Sequence, residues 1–206
     1  EIRDLNEVIE RSFGAPPLSS EQVLHPEKYW DPEERDDPIE VVRKTTQLPE
    51  GWSVAMEDTF GELQLALVTE LADGAVKIDF SNPLSMMSIK YTNEAASGWG
   101  GDSVALLAKG EGHLLHLVTV FDSEEEANEF ERTMHLVMEN TIAPNLAELA
   151  GESGDHGVRL LTADSARERV LVSWAIPEAG EGEVDALIDA LQWEVQAPVA
   201  AEGEDG

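Results

Sequence analysis

The five histidines are the side chains in this sequence best suited to acid–base or metal chemistry. His113 and His116 lie three residues apart within an apolar stretch that is typical of a β-strand. Because side chains at positions i and i+3 of a strand point to opposite faces, these two histidines cannot share a metal ion. A zinc-peptidase helix of the HExxH type is also absent from these residues, as is its inverted version. We therefore expect His113 and His116 to be ordinary strand positions.

The other three histidines, His25, His135 and His156, are isolated in the sequence and are expected to be surface or cap residues. His25 has a more specific context, because Gln22 and Tyr29 flank it at spacings of three and four residues. A helical turn would place the three side chains along one side, where they would form a docking surface. A metal-assisted hydrolase that uses His25 with acidic ligands is the alternative.

A possible nucleophile stands in the run Gly101–Asp102–Ser103, which superficially resembles a serine-protease segment. The glycines that would build an oxyanion hole after the serine are missing, and no G-x-S-x-G elbow occurs elsewhere. We expect the glycines of Gly98–Asp102 to form a tight turn, with Asp102 accepting hydrogen bonds from neighbouring backbone N–H groups. The alternative is a ligand-binding lipoprotein-type domain with a pocket near Trp99 and Asp102, or a groove lined by Trp99 and Trp30.

Carboxylates are too numerous for their proximity to identify a site. Asp and Glu number 43 against 13 Lys and Arg, for a net charge of −30, so chance pairs are expected throughout. There is no EF-hand loop, no phosphate-binding P-loop and no cysteine. We expect no cofactor beyond nonspecifically bound salt cations. Nucleic acid is excluded as a partner, because its phosphates would meet a surface of like charge.

The distribution of the acidic residues favours a halophilic source. They are scattered along the chain, whereas a tail that binds basic partners would concentrate them in one block. Repulsion within such a chain opposes folding in dilute buffer. At molar salt the Debye length falls to about 3 Å, which screens that repulsion. Only five basic residues are lysines, which fits the same adaptation.

The elements that must position the candidate residues begin with an N-terminal helix. Asp4 to Phe13 has an apolar face, and Asp4 and Glu7 have capping-box spacing. Ser19 or Ser20 caps a short helical turn that Pro26 limits. Further along, the sequence predicts an extended segment at 39–43, a turn at 49–51, a strand at 52–56, a helix from Phe60 to Leu71, a strand at 75–80 and a helix at 83–97.

The second half of the chain predicts two strand–strand–helix units. The first joins strands 103–108 and 113–121 to a helix that Ser123 and Glu126 open as a capping box. Its inward residues are Ala127, Phe130, Met134, Val137 and Met138, and Pro144 ends or kinks it. The second unit has strands at 158–163 and 167–176 and a helix at 181–193.

These units predict an α+β fold, an antiparallel sheet with helices packed on one face. We expect a helical N-terminal segment and linker over residues 1–48, an α+β domain over 49–197 and an acidic disordered tail over 198–206. No apolar run approaches the length of a membrane span and no signal peptide is present. Because the sequence starts with Glu1 inside an apparent helix, we expect it to be a fragment or a processed product.

Three segments resemble the region that follows the catalytic core in HExxH-type, gluzincin-like proteins of secreted or surface-bound bacterial and haloarchaeal families. They read PPLSSEQVLHPEKY (16–29), AASGWGGD (95–102) and FDSEEEANEF (121–130), and the stretch EDTFGE (57–62) fits the same pattern. Ser20 stands where those sequences usually carry Thr. Glu21 and His25 belong to the first segment, but the resemblance assigns them no zinc-ligand role.

The resemblance covers most of residues 1–140 in one order and spacing, and it implies that a peptidase-like domain lies upstream. Because the HExxH helix and its glutamate ligand are absent from these residues, peptidase activity does not carry over. The resemblance therefore predicts a non-catalytic accessory region of a halophilic protein, located outside the cell or at its surface.

Overall fold

The computed structural model describes residues 5–73, 91–151, 154–163, 165–177 and 183–196. The first half contains helices α1 (Leu5–Gly14), α2 (Ser20–Leu24) and α3 (Glu27–Trp30), strands β1 (Glu40–Thr45) and β2 (Ser53–Asp58), and helix α4 (Gly61–Thr69) with a 3-10 turn, Glu70–Asp73. The second half contains strands β3 (Trp99–Lys109) and β4 (Gly112–Phe121), helix α5 (Glu124–Val137), a π-helical turn (Met138–Ile142), helix α6 (Ala143–Ala150), strands β5 (Asp155–Thr162) and β6 (Glu168–Ile176), helix α7 (Glu183–Ala190) and strand β7 (Leu191–Gln196).

Five strands form one antiparallel sheet in the order β2-β3-β4-β6-β5. Its centre is the predicted hairpin of β3 and β4, in which Lys109 pairs with Gly112 across the turn. Strand β6 pairs with both β4 and β5, so the second predicted strand pair extends the first. The α+β class with an antiparallel sheet is therefore confirmed.

Helices α4 and α5 cover one face of this sheet. Four of the five inward residues predicted for α5 are fully buried, while Met138 is partly buried and lies in the π-helical turn that follows the helix. That turn precedes Pro144, which has no N–H to donate and stands in the first turn of α6. The helix that carries the predicted inward residues thus ends at Val137, before Pro144, and Pro144 begins the next helix. The apolar cluster on this face also contains Leu65, Trp99, Val104, Leu117 and Phe121.

The opposite face of the sheet is covered as well. Strand β1 pairs antiparallel with β7 in a separate two-stranded ribbon, and α7 packs beside it. Alternate side chains of the central strands, including Leu114, Val118 and Val172, are buried against these elements. The central strands are therefore covered on both sides, by α4 and α5 on one side and by α7 with the ribbon on the other, whereas the edge strands β2 and β5 are mostly exposed.

The predicted helix at 181–193 ends early. Residues 183–190 are helical, but Leu191 to Gln196 form β7. The segment LQWEVQ alternates apolar and polar residues, which suits a strand that pairs along β1. Through β1, the predicted N-terminal segment and linker (1–48) pairs with β7 of the α+β domain. Val41 and Leu48, before the expected boundary at residue 49, and Trp52, after it, belong to the same apolar cluster.

The predicted turn at Gly98–Asp102 is wrong, because the backbone turns over 94–98 and β3 begins at Trp99. Gly100 and Gly101 are needed where the chain at Ile39 crosses the strand. The Ile39 N–H donates to Gly100 O at 2.6 Å, and a Cβ at Gly101 would collide with the Ile39 carbonyl oxygen. The glycines therefore serve a close backbone approach.

Several predictions fall wholly or partly outside the described residues: the strand at 75–80, the helix at 83–97 up to residue 90, the Asp4 cap and the tail at 198–206. From residue 91 to 98 the chain forms bends and turns, so the end of that predicted helix is wrong. None of the described helices combines the length and apolar character that crossing a membrane requires.

Candidate functional site

A partly buried cluster of ion pairs is built around the Lys28 ammonium group. Lys28 Nζ donates to Glu21 Oε1 at 2.6 Å, to Asp36 Oδ2 at 2.9 Å and to Asp122 Oδ2 at 3.0 Å. Helix α2 positions Glu21, and the Ser19 hydroxyl caps that helix by accepting from the backbone, as predicted. Asp122 follows β4, so this site, which we call the Lys28 cage, ties the N-terminal segment to the sheet.

Burial and hydrogen bonding shift the pKa values of Glu21 and Lys28 in the Lys28 cage. Glu21 is 1% exposed, and burial raises its pKa to about 8, although the hydrogen bond from Lys28 acts to lower it. Burial alone would lower the pKa of Lys28, but its hydrogen bonds to the three carboxylates outweigh this and raise that pKa. Among the described residues, Glu21, Asp36 and Asp122 are the one group with three metal-capable ligand atoms within 4.8 Å. The lysine ammonium already fills the place of a cation there.

The predicted docking surface on α2 and α3 lies inside the protein. Gln22 and Tyr29 are 1% and 2% exposed. Gln22 Nε2 donates to Asp36 O and to Asp37 Oδ1, and the Tyr29 hydroxyl donates to Ala15 O at 2.6 Å. The docking prediction is wrong for these two residues, because their side chains are buried and hydrogen-bond to loops of the N-terminal segment.

Asp102 joins β3 to the start of α4. Its Oδ1 accepts from Phe60 N at 2.8 Å, and its Oδ2 accepts from Gly61 N at 2.7 Å and from Trp99 Nε1 at 2.8 Å. Burial raises the pKa of Asp102, while these three donors act to lower it. Asp102 accepts from backbone N–H groups, but these belong to the start of α4 and not to a neighbouring glycine turn, so the predicted partners are wrong. Trp99 is 2% exposed and Asp102 is 4% exposed, so the space near them is filled and does not form the alternative pocket or groove.

His25 meets Glu62, the second residue of α4. His25 Nε2 lies 2.9 Å from Glu62 Oε1, which also accepts from the Thr92 hydroxyl. Glu62 is fully buried, and its second oxygen, Oε2, has no hydrogen-bond partner among the residues that the structure describes. On the other side of the ring, His25 Nδ1 lies 3.7 Å from Glu27 Oε1. Of the six predicted site residues, His25 is the most accessible.

A second histidine is enclosed on the other face of the sheet. His116 is fully buried, and its Nδ1 accepts from Arg43 Nη1 at 2.8 Å. Burial, with a further contribution from the Arg43 charge, lowers the pKa of His116 to about 3. His113 is exposed. The two histidines therefore lie on opposite sides of β4, as the strand geometry predicts.

Sequence reasoning missed the partners of the candidate residues. Lys28, Asp36, Asp122 and Thr92 were not predicted as site residues, and Glu62 appeared only within the stretch EDTFGE. One signal was available, since lysine is scarce in this chain and Lys28 follows directly on the HPE of the first resembling segment. The sequence does not distinguish the carboxylates of the site from the others, because the chain contains 43 Asp and Glu residues.

Residues 46–184 match a protein family described as a domain of unknown function, DUF8575. The match covers more than half of the chain, and the protein belongs to this family. It begins at the end of β1 and includes the whole five-stranded sheet, whereas α1, α2 and α3 lie before it. Neither the search of characterised proteins nor that of solved structures gives a match.

Proposed function

We propose that this chain is a non-catalytic accessory region of an exported or surface-bound halophilic protein, and that it holds an upstream peptidase-like domain in place. The observation that carries the proposal is the Lys28 cage. Glu21 and Asp36 come from the segment before the family domain, and Asp122 comes from within it. Lys28–Asp122 is the pair of the cage that crosses to the family domain, and its side chains are 23% and 30% exposed. Removing Lys28 would leave partly buried carboxylates without their cation, which is destabilising, so this contact ties the segment to the domain.

Other contacts support a rigid attachment of the same segment. The Ser20 hydroxyl accepts from Leu63 N at 3.4 Å, and His25 contacts Glu62, so α2 lies against the start of α4. Arg11 stacks over the rings of Tyr29 and Trp30 at 4.8 Å from each ring centroid, which fixes α1 on α3. A chain entering at α1 would therefore have a defined direction relative to the sheet.

The acid excess supports the halophilic part of the proposal. Repulsion among 43 acidic residues weakens the compact state unless salt screens it. The resemblance of residues 16–29 to the segment that follows a gluzincin-like core supports the peptidase-like ancestry. That segment contains His25 and Lys28, which attach it to the family domain through Glu62 and Asp122.

The reading frame upstream of Glu1 is the direct test. An HExxH helix encoded there supports the proposal, and an initiator Met with no such helix overturns it. A second test assays the purified chain at molar KCl against casein and against ester and phosphoester substrates. We expect no turnover above that of a heat-denatured sample. Turnover that the His25→Asn substitution abolishes would favour the hydrolase alternative instead.

A further inference from the structure

The β1–β7 ribbon lies on the five-stranded sheet as a separate layer. Its two strands pair with each other, and the sheet has its own order of β2-β3-β4-β6-β5. Arg43 of β1 reaches across to the sheet, where Nη2 donates to Ser103 O at 2.7 Å and Nη1 donates to His116 Nδ1 at 2.8 Å. Neither strand of the ribbon falls within residues 46–184, which match the family. Side-chain contacts therefore join the ribbon to the family domain.

The contact between Arg43 and His116 is buried and fixes the tautomer of the imidazole. His116 is 0% exposed, and the Arg43 side chain is 4% exposed. A guanidinium group has only donors, so Nδ1 of His116 must accept and the ring proton must reside on Nε2. Protonated His116 would carry a donor on both nitrogens, and Nδ1–H would then face the Arg43 N–H across 2.8 Å. The closed contact therefore requires a neutral imidazole.

We propose that this contact is an acid-sensitive latch: protonation of His116 releases the β1–β7 ribbon from the sheet, and the sheet stays folded. In the closed fold, burial and the Arg43 charge lower the pKa of His116 to about 3. When the ribbon opens and the ring meets water, that pKa returns to the ordinary value of 6.5. Each unit by which the pH falls from 6.5 towards 3 therefore favours the open state about tenfold.

The sheet residues around His116 do not neutralise a second positive charge. Its Nε2 has no hydrogen-bond partner among the described residues. Glu57 of β2 lies 4.0 Å from Arg43 Nε, but its side chain is 53% exposed, and its charge acts on Arg43. The residues that pair with His116 on β3 and β6 are Ala105 and Val172. A proton on His116 therefore adds to the charge of Arg43.

The elements that cover His116 bring an aromatic ring to the imidazole. Trp193 of β7 places its ring centroid 5.5 Å from that of His116. The acidic residues in the first turn of α7 have cationic partners of their own, since Glu183 pairs with Lys109 and Asp185 pairs with Arg159. Protonated His116 would therefore face Arg43 with no carboxylate of the described residues bonded to it.

The ribbon can open without the sheet. The hydrogen-bonded ladder of the sheet does not include β1 or β7, and its other face keeps the apolar cluster with α4 and α5. Opening removes Val41 from the cluster beneath the ribbon, which holds the ribbon closed at neutral pH. It also gives water to Arg43 Nε and His116 Nε2, both buried without a hydrogen-bond partner among the described residues. Such a segment opens at a lower free energy than the whole fold.

Hydrogen exchange of the whole chain, followed by mass spectrometry between about pH 6.5 and pH 4.5 in molar KCl, tests the latch. Protection is corrected for the intrinsic exchange rate at each pH. We expect the ribbon strands, 40–45 and 191–196, to be about tenfold or more less protected than β4 and β6, because they open without the sheet. Ribbon protection should also fall about tenfold per pH unit.

His116→Asn separates the charge of the ring from the contact, because the Asn Oδ1 can accept from Arg43 and does not titrate. The ratio of ribbon protection in His116→Asn to that in the parent should rise about tenfold per unit of acidification. His113→Asn on the same strand and Glu57→Gln beside Arg43 are the matched controls, and both should follow the parent. Circular dichroism verifies the fold of each variant, and His116→Gln is a second non-titrating substitution if His116→Asn does not fold.

The latch is overturned by equal protection of the ribbon and of β4 and β6, because both would then open only through global unfolding. A pH dependence that persists in His116→Asn also overturns it, as does one that Glu57→Gln abolishes, because another group would then carry the titration. None of these outcomes depends on an upstream domain, so the test is independent of the proposed accessory function.

Discussion

Replacing Lys28 by Met tests whether the Lys28 cage holds the N-terminal segment to the sheet. The substitution keeps the side-chain length but leaves Glu21, Asp36 and Asp122 without their shared cation. Loss of one partner from a buried ion pair typically costs about 3–5 kcal/mol. Lys28 is 23% exposed and molar salt screens part of the interaction, so we expect about 3 kcal/mol, the lower end of that range.

The loss of unfolding free energy in Lys28→Met should also depend on pH in a predictable direction. In Lys28→Met, Glu21 and Asp122 lose the hydrogen bond and charge of Lys28, which lower their pKa values, and Glu21 already has a raised pKa of about 8. A carboxyl group whose pKa is higher in the folded state than in the unfolded chain favours folding below the unfolded pKa, and that contribution is lost as the pH rises. The deficit in unfolding free energy relative to the parent should therefore be larger at pH 8 than at pH 5.

Guanidinium unfolding followed by circular dichroism at molar KCl measures this difference at the two pH values. Lys44→Met is the matched control, because Lys44 pairs with Glu194 on the surface and both side chains are about half exposed. We expect that control to change the unfolding free energy by about 0–1 kcal/mol. A deficit for Lys28→Met below about 1 kcal/mol, or one that is equal at pH 5 and pH 8, would refute the reasoning.

Four further measurements test the remaining interior contacts and the salt dependence. Gly101→Ala should destabilise the protein by about 1–3 kcal/mol in thermal melts because its Cβ overlaps a crossing backbone, whereas Gly14→Ala, with open space around it, should not. Asp102→Asn puts an amide group against backbone and indole N–H donors and should cost about 1–3 kcal/mol, measured by denaturant unfolding with tryptophan fluorescence as a second probe. The pKa of His116 is about 3 in the fold against an ordinary value of 6.5, so the contribution of His116 to stability should fall as the pH drops from 6.5 towards 3, by about 1.4 kcal/mol per pH unit. The difference in unfolding free energy between the parent and His116→Asn should therefore change by about this amount per pH unit, and the exposed-site control His113→Asn should follow the pH dependence of the parent. Lowering KCl well below molar should unfold the parent, and full ellipticity with cooperative melting in dilute buffer would contradict the halophilic account.

Local sequence signals predicted the elements whose stability is local. The apolar spacing of α5 and the cap at Ser123 identified that helix, because its buried face and its first turn are encoded within a few residues. The β3–β4 hairpin was equally readable, since two apolar strands flank a short glycine-containing turn. Ser19 likewise capped α2 as its sequence indicated.

Elements that depend on distant partners were misread. Leu191 continues the apolar spacing of α7, which favoured a longer helix, although Leu191 to Gln196 also alternates in the manner of a strand. Pairing with β1 decides between the two. The glycines at Gly100 and Gly101 resemble a turn in sequence, but the crossing backbone at Ile39 explains them. A contact between segments far apart along the chain leaves no local pattern from which to predict it.

Some features of the candidate site could likewise be predicted from the sequence, and others depend on the fold. The sequence by itself determined the dense negative charge, the absence of cysteine chemistry and the separation of His113 from His116, because these follow from composition and strand geometry. Only the tertiary structure decided which carboxylates matter. It buried Glu21 against Lys28, paired Glu62 with His25 and left one oxygen of Glu62 without a hydrogen-bond partner among the described residues. Burial and the choice of partner give a carboxylate its energy and its pKa, and both are properties of the folded chain.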